Sequence, residues 1–474
     1  MRRAVLATVL AATLTASVSA ETGERVSTLK EQSGVGITIY NSELALVRDR
    51  RKLALPHGES HLALRDVSAK IQSETALLQS VGNPGRLTVL EQNFDYDLLS
   101  PEKLLEKYVG RDVDVIRTDP QTGARTHERA RVMATNGGVV LRYADRIETT
   151  VDGRIAFPSL PPDLRDRPTL VTDIANTGDA AAQQVELTYL TGGLSWKADY
   201  TALLSPNDDR IDLRGLITLQ NQSGTAYRNA RVQLVAGDVN VVQSEFASGA
   251  ARPSSAMDQY SVSTKPAEQA LFEYHLYTLP RKTTVADNQT KQVELLTAPH
   301  IAVTKTLELR GAPFYYRSRS ADLGTRLKLG TFVTFRNQGG SLGIALPKGA
   351  VRVYKRDNSG QEQFVGSDSI DHTPRNETVR LHLGDAFDVT AIKKQTDFHV
   401  VVPDQTYESE YEIVLRNAKK VAQNVIVVEP IPGDWTILRS SAPYHKSSST
   451  TATWSLRVPP GGATTLTYRV RTMF

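Results

Sequence analysis

The chain contains no cysteine. That excludes a disulfide framework, a thiolate zinc site, an iron–sulfur cluster and a cysteine nucleophile. Aromatic residues are sparse at 7%, with three tryptophans. Neither sign of charge prevails, since 56 Lys and Arg face 52 Asp and Glu, a formal +4. Beyond the first 20 residues no run approaches the ~18 consecutive apolar residues that a membrane-spanning helix needs. No phosphate-cradling Gly-x-x-x-x-Gly-Lys is present, nor a Gly-x-Gly-x-x-Gly after a strand. No cofactor is therefore expected.

What is present begins with an export pattern. Arg2 and Arg3 precede an apolar stretch from Ala4 to Val18, and Val18-Ser19-Ala20 has the small-x-small form of a cleavage site. The segment 1–20 reads as a signal peptide, too short for an anchor and followed by polar Glu21-Thr22-Gly23-Glu24. Cleavage after Ala20 removes 20 of 474 residues and two of 56 basic side chains, leaving 54 against 52, or +2. The basic surplus halves, and nucleic acid is not an expected partner.

The dominant period is two. Ile211, Leu213, Ile217 and Leu219 alternate with polar neighbours, as do Val379, Leu381 and Leu383, then Tyr411, Ile413 and Leu415, then Trp454, Leu456 and Val458. One buried and one wet face per strand is the pattern of antiparallel sheets. The expected fold class is all-β: multidomain antiparallel β-sandwiches, immunoglobulin-like, with a small inserted β-barrel-like domain and one short helix. That helix starts at Ser100 as cap and Pro101 as first residue, carries Leu104, Leu105 and Tyr108 as its apolar stripe, and closes at Gly110. Short strands and the turn Asp119–Gly123 follow.

The expected organisation is a signal peptide at 1–20, an N-terminal β domain at 21–97, and the small inserted domain with its leading helix at 98–165. A central β-sandwich spans 166–310, continues through 311–395, and carries a mobile loop at 244–270 rich in Ala, Ser, Gly and Pro. An immunoglobulin-like sandwich closes the chain at 396–474. A weak repeat runs through it: strands end at Asn176, Asn221, Asn337 and Asn417, each followed by another β-like run. Asparagine suits such turns because its side chain bonds nearby backbone.

Each chemical constellation has a bland reading beside its sharp one. Gly339 to Gly343 matches Gly-x-Ser-x-Gly around Ser341. A nucleophile elbow needs a helix after the serine, and β-like sequence follows, so no catalytic residue is assigned. His57 and His61 are four apart, but strand spacing does not align them, and no metal site is assigned. The densest run is Gly192 to Tyr200. Trp196 offers a stacking face, and Lys197 and Asp199 share one strand face. Trp196, Lys197, Asp199 and Tyr200 are the candidate binding residues, against the alternative of a core-anchoring Trp with an exposed ion pair. No carboxylate pair stands out, and the final alternation to Phe474 reads as the last strand of a sandwich.

Several stretches resemble a bacterial family catalogued as domain of unknown function 4139, which includes mucoidy-inhibitor-like proteins. They are YLTGGLSWKADYTALL at Tyr189 to Leu204, LRGLITLQNQSGTAYRNARVQLVAGDV at Leu213 to Val239, and the block Tyr274 to Leu296. Phe335 to Tyr354, ending in LPKGAVRVY, and Trp454 to Tyr468, with its VPPGG turn, are similar too, as is ITIYNSELALV at Ile37 to Val47. The resemblance implies an exported β-rich protein of unassigned activity and carries over no catalytic residue. Together these readings lean away from an enzyme. They point to a binding or scaffold protein of the periplasm or cell surface, its partner an envelope protein or polysaccharide. An envelope glycan hydrolase using paired carboxylates is the alternative, and an outer-membrane-associated β protein a third.

Overall fold

The computed structural model describes residues 24–474 apart from 42, 96–97, 162–163, 180, 238–266, 272–273, 321 and 341. The expected signal peptide, residues 244–266 of the expected loop, and Ser341 lie outside them; residues 267–270 belong to the strand Ala267–Leu271. Strand dominates, and Pro101–Lys107 is the one α-helix among the described residues. No described helix is long and apolar enough to cross a membrane. The chain forms two compact units. One holds the described residues up to Gly36 with Leu46–Gly192 and Ser223–Tyr227; the other holds Ile37–Ala45, Gly193–Gln222 and Arg228–Phe474.

In the first unit, Arg25–Ser27, Gly58–Arg65, Thr169–Asn176 and Leu87–Asp95 make a four-stranded sheet in that order. Alternate residues Leu170, Thr172, Ile174 and Asn176 are buried, as period two requires. One buried charge needs a partner set, and it has one. Arg51 reaches Asp49 Oδ2 from Nε and NH2 at 3.0 and 2.8 Å, and also donates to the carbonyls of Ser27 and Arg65.

The same unit carries the small β domain, a five-stranded sheet ordered Ile147–Glu148, Val140–Arg142, Arg125–Ala134, Asp112–Thr118, Arg154–Ala156. Its inner face buries Val113, Val115, Ala130, Val132, Leu141 and Tyr143 beneath Tyr108, with Leu104 and Leu105 of the helix packed alongside. Ser100 Oγ caps that helix by accepting from Lys103 N at 3.1 Å, and Gly110 turns the chain out at φ +81°. The sheet is open where a barrel-like closure was expected. Its two end strands are two and three residues long, too short to complete a cylinder.

The second unit holds a five-stranded sheet ordered Gln289–Ala302, Arg210–Asn221, Leu194–Leu204, Gly349–Arg356, Glu362–Ile370. It also holds a nine-stranded sheet that folds over on itself, so Trp454, near one end of the strand order, packs on Tyr468, near the other, at 4.8 Å between rings. Most pairings are antiparallel. Leu194–Leu204 runs parallel to Gly349–Arg356, and Thr304–Arg310 parallel to Gln423–Pro430, where segments distant in sequence meet.

The four repeated asparagines have one structural job. Asn176, Asn221, Asn337 and Asn417 are all buried at strand ends. Each points its Nδ2 at backbone carbonyls of neighbouring turns: Leu55 and Pro56 for Asn176, Val285 and Ala286 for Asn221, Thr373 and Pro374 for Asn337, Val458 and Pro459 for Asn417. Oδ1 accepts a backbone N–H a few residues on, from Gly178 at Asn176, Gly343 at Asn337 and Lys419 at Asn417. A carboxamide offers both donors and an acceptor, so it satisfies turn groups that no strand partner reaches.

Candidate binding face

The strand Leu194–Leu204 sits in the middle of the five-stranded sheet, and its alternation decides what each side chain does. Leu194, Trp196, Ala198, Tyr200, Ala202 and Leu204 are buried. Trp196 Nε1 donates to Val235 O at 3.2 Å, and Tyr200 OH donates to Pro347 O at 2.8 Å. Each large aromatic thus buries its ring and satisfies its polar tip. Lys197 and Asp199 project from the opposite face. Of the four sequence candidates, the structure brings Lys197 and Asp199 together and sends Trp196 and Tyr200 to the other side of the sheet.

The open face is a connected polar surface. Register sets Lys197 opposite Thr218 and Thr218 opposite Gln292. On the other flank Thr201 stands opposite Arg352, and Arg352 opposite Ser367. A hydrogen-bond chain crosses four strands: Gln292 Nε2 donates to Thr218 Oγ1 at 3.2 Å, Thr218 Oγ1 donates to Asp199 Oδ2 at 3.0 Å, and Arg352 NH1 donates to Asp199 Oδ1 at 3.1 Å. Lys197 Nζ stands 3.7 Å from Asp199 Oδ2. Asp199 is 14% exposed and Lys197 67%, so the carboxylate is a fixed hub and the lysine an exposed arm paired with it. At one corner Phe364 lies exposed with its ring edge-on to Tyr354, centroids 5.7 Å apart.

Such a face offers fixed polar groups for recognition. A general acid needs a carboxyl pKa raised toward neutrality. The shifted carboxyl groups of this unit move down instead. Burial opposes ionisation of Asp208, but Lys305 and Lys355, at 2.6 and 2.5 Å, outweigh it. Asp357 is lowered to about 2 by bonds from Ser359 and Gln363.

Among the described residues no group of three or more His, Asp or Glu is placed to hold a metal. His61 bonds Asp173 across the sheet, a strand-to-strand contact.

Sequence reading missed Thr218, Gln292 and Arg352 as parts of this face. Their own alternation was legible: Arg352 lies between buried Val351 and Val353. What was not legible is that Gly349–Arg356 pairs with a strand about 150 residues earlier.

The fold and the face define an all-β protein of several sheets with an open polar sheet face and no assigned chemistry. A family model, Domain of unknown function (DUF4139), matches residues 185–474, and the chain belongs to that family. The match contains the whole of the strand Leu194–Leu204 and all strands of the five-stranded and nine-stranded sheets of the second unit; Ile37 to Val47 lies outside it. No curated protein matches the chain.

Proposed function

We propose that the protein is an exported, non-enzymatic binding protein of the bacterial envelope, which holds an envelope protein or polysaccharide against the open face around Asp199. The observation that carries this reading is the hydrogen-bonded chain Gln292–Thr218–Asp199–Arg352 on a rigid five-stranded sheet. An open sheet face with fixed polar groups and an exposed lysine suits recognition of an extended partner. The exposed Phe364 adds an apolar contact at its corner, of the kind that binding surfaces use as an anchor. Export is supported by the n-region, apolar core and small-x-small site of residues 1–20. The test is site-specific photocrosslinking from Thr201, an exposed residue of this face, with Arg352→Glu as the variant that removes capture.

A further inference from the structure

A second surface, on the small β domain, carries a different chemistry. The segment Arg125-Thr126-His127-Glu128-Arg129-Ala130-Arg131 alternates, and Ala130 and Val132 point into the core. Arg125, His127, Arg129 and Arg131 therefore share the outward face. Neighbouring strands add to it. Arg142 stands directly opposite Arg131, and Arg154 stands opposite Ile116, itself opposite His127. Across the other strand pair Arg129 and Arg131 stand opposite Asp114 and Asp112, which offset part of the row, whereas Arg131 facing Arg142 is a like-charge pair of the kind that destabilises a sheet.

The local acids neutralise the row only in part. Glu128 and Glu148 are occupied with Arg117 and Arg146, which also cover the ring of Tyr143 at 5.5 and 4.2 Å. Asp112 takes Arg131 Nε at 3.1 Å. Asp114 stands directly opposite Arg129, while Arg125 faces Thr118, Arg142 faces Arg131 and Ile147, and Arg154 faces Ile116. Where the strands meet, Asp112, Arg129, Arg131, Arg142 and Tyr143 line a cleft of about 200 Å³.

We propose that this arginine face binds an acidic polysaccharide, through its carboxylate or sulfate groups. Arginines at alternate positions along a strand are spaced about 6.6 Å apart, and cross-strand neighbours about 5 Å, a two-dimensional grid for repeating anions. The planar guanidinium fork pairs bidentately with carboxylate and sulfate oxygens. Single-stranded nucleic acid is disfavoured because base stacking needs an exposed ring, and Tyr143 is buried under two guanidinium groups. Ile147, which is exposed, stands directly opposite Arg142, and Met133 is exposed two positions beyond Arg131, but two isolated apolar side chains do not make the continuous apolar face that a lipid surface takes up.

The experiment measures binding of the purified protein to polygalacturonate and to heparin, with single-stranded DNA and anionic phospholipid vesicles as comparators, at two salt concentrations. The expected result is salt-dependent binding of at least one of the two glycans, tighter than that of DNA or vesicles. Arg129→Glu/Arg142→Glu should weaken it at least tenfold with unchanged circular dichroism, whereas Arg129→Lys/Arg142→Lys should retain part of it. Failure to bind either glycan, undiminished binding by the Glu variant, or preference for DNA or vesicles would each overturn the proposal. Arg352→Glu, on the other face, should leave this binding unchanged; if it abolishes it, the arginine face is not the site.

Discussion

Lys393 Nζ and Glu429 Oε1 lie 2.6 Å apart in the core of the C-terminal sheet, with 3% and 0% of their side chains exposed. The carboxylate is fully occupied. Tyr315 OH donates to Oε2 at 2.6 Å and Tyr316 OH at 2.9 Å, while Lys393 also donates to the Tyr315 hydroxyl. The ammonium lies 4.0 Å from the centre of the Tyr315 ring. Burial pushes the Lys393 pKa down, opposed by Glu429, and pushes the Tyr316 and Tyr468 hydroxyls well up. This is a buried polar network inside an aromatic core.

Such a pair is expensive to break and cheap to remove whole. Lys393→Met leaves Glu429 buried and unpaired, a loss of about 3–5 kcal/mol in urea unfolding. The double variant Lys393→Met/Glu429→Leu should recover much of that loss. Gly311→Ala should destabilise for a separate reason, since its Cβ would collide with Glu429 Oε2 and the Tyr315 hydroxyl.

The asparagine clamps give a parallel expectation. Asn417→Ala strips the carbonyls of Val421, Val458 and Pro459 of their donor and should lose about 1–3 kcal/mol. Asn337→Ala should cost a similar amount for Ile344, Thr373 and Pro374. Asn358→Ala, at an exposed turn, should be far milder by the same denaturation measurement.

Acid should weaken the fold in a stated direction. Bonds from Arg471, against some burial and with help from Arg469, lower Glu408 below 4.5, and the two lysines lower Asp208 below 3.8. A carboxyl depressed in the folded state stabilises it fully above the unfolded pKa and loses that contribution as pH falls through the folded value. Stability should therefore hold from pH 7 to about pH 5 and decline as these groups protonate below their ordinary values. Asp208→Asn keeps the left-handed backbone of this residue, φ +59°, which Asn tolerates. It should lower stability at pH 7 while shrinking the difference between pH 7 and pH 3.

Much of the fold was legible because period two survives in strands such as Leu194–Leu204, Thr406–Asn417 and Thr451–Val458. Ile211, Leu213, Tyr411, Ile413, Trp454 and Leu456 all fall on the buried side the alternation assigns. The helix was legible from Ser100, Pro101 and Gly110, because caps are local chemistry. The asparagine repeat was visible as a pattern, but its clamp depends on turns that lie up to about 120 residues away. The candidate site was half legible. Alternation alone puts Lys197 and Asp199 on one face and Trp196 and Tyr200 on the other, yet it does not say which strand pairs beside them. The arginine row was written in residues 125–131. Whole-chain charge hid it, because a formal +4 averages local fields that a single sheet face concentrates.

The central claim is that the face around Asp199 holds an envelope partner, and crosslinking in living cells tests it most directly. A photoreactive residue at Thr201 is compared with one at Ser447, an exposed residue of the C-terminal sheet. The account predicts one defined envelope component captured from Thr201, absent from Ser447, and reduced at least tenfold by Arg352→Glu in a folded protein. Capture that is equal from both positions, or indifferent to Arg352→Glu, would contradict it.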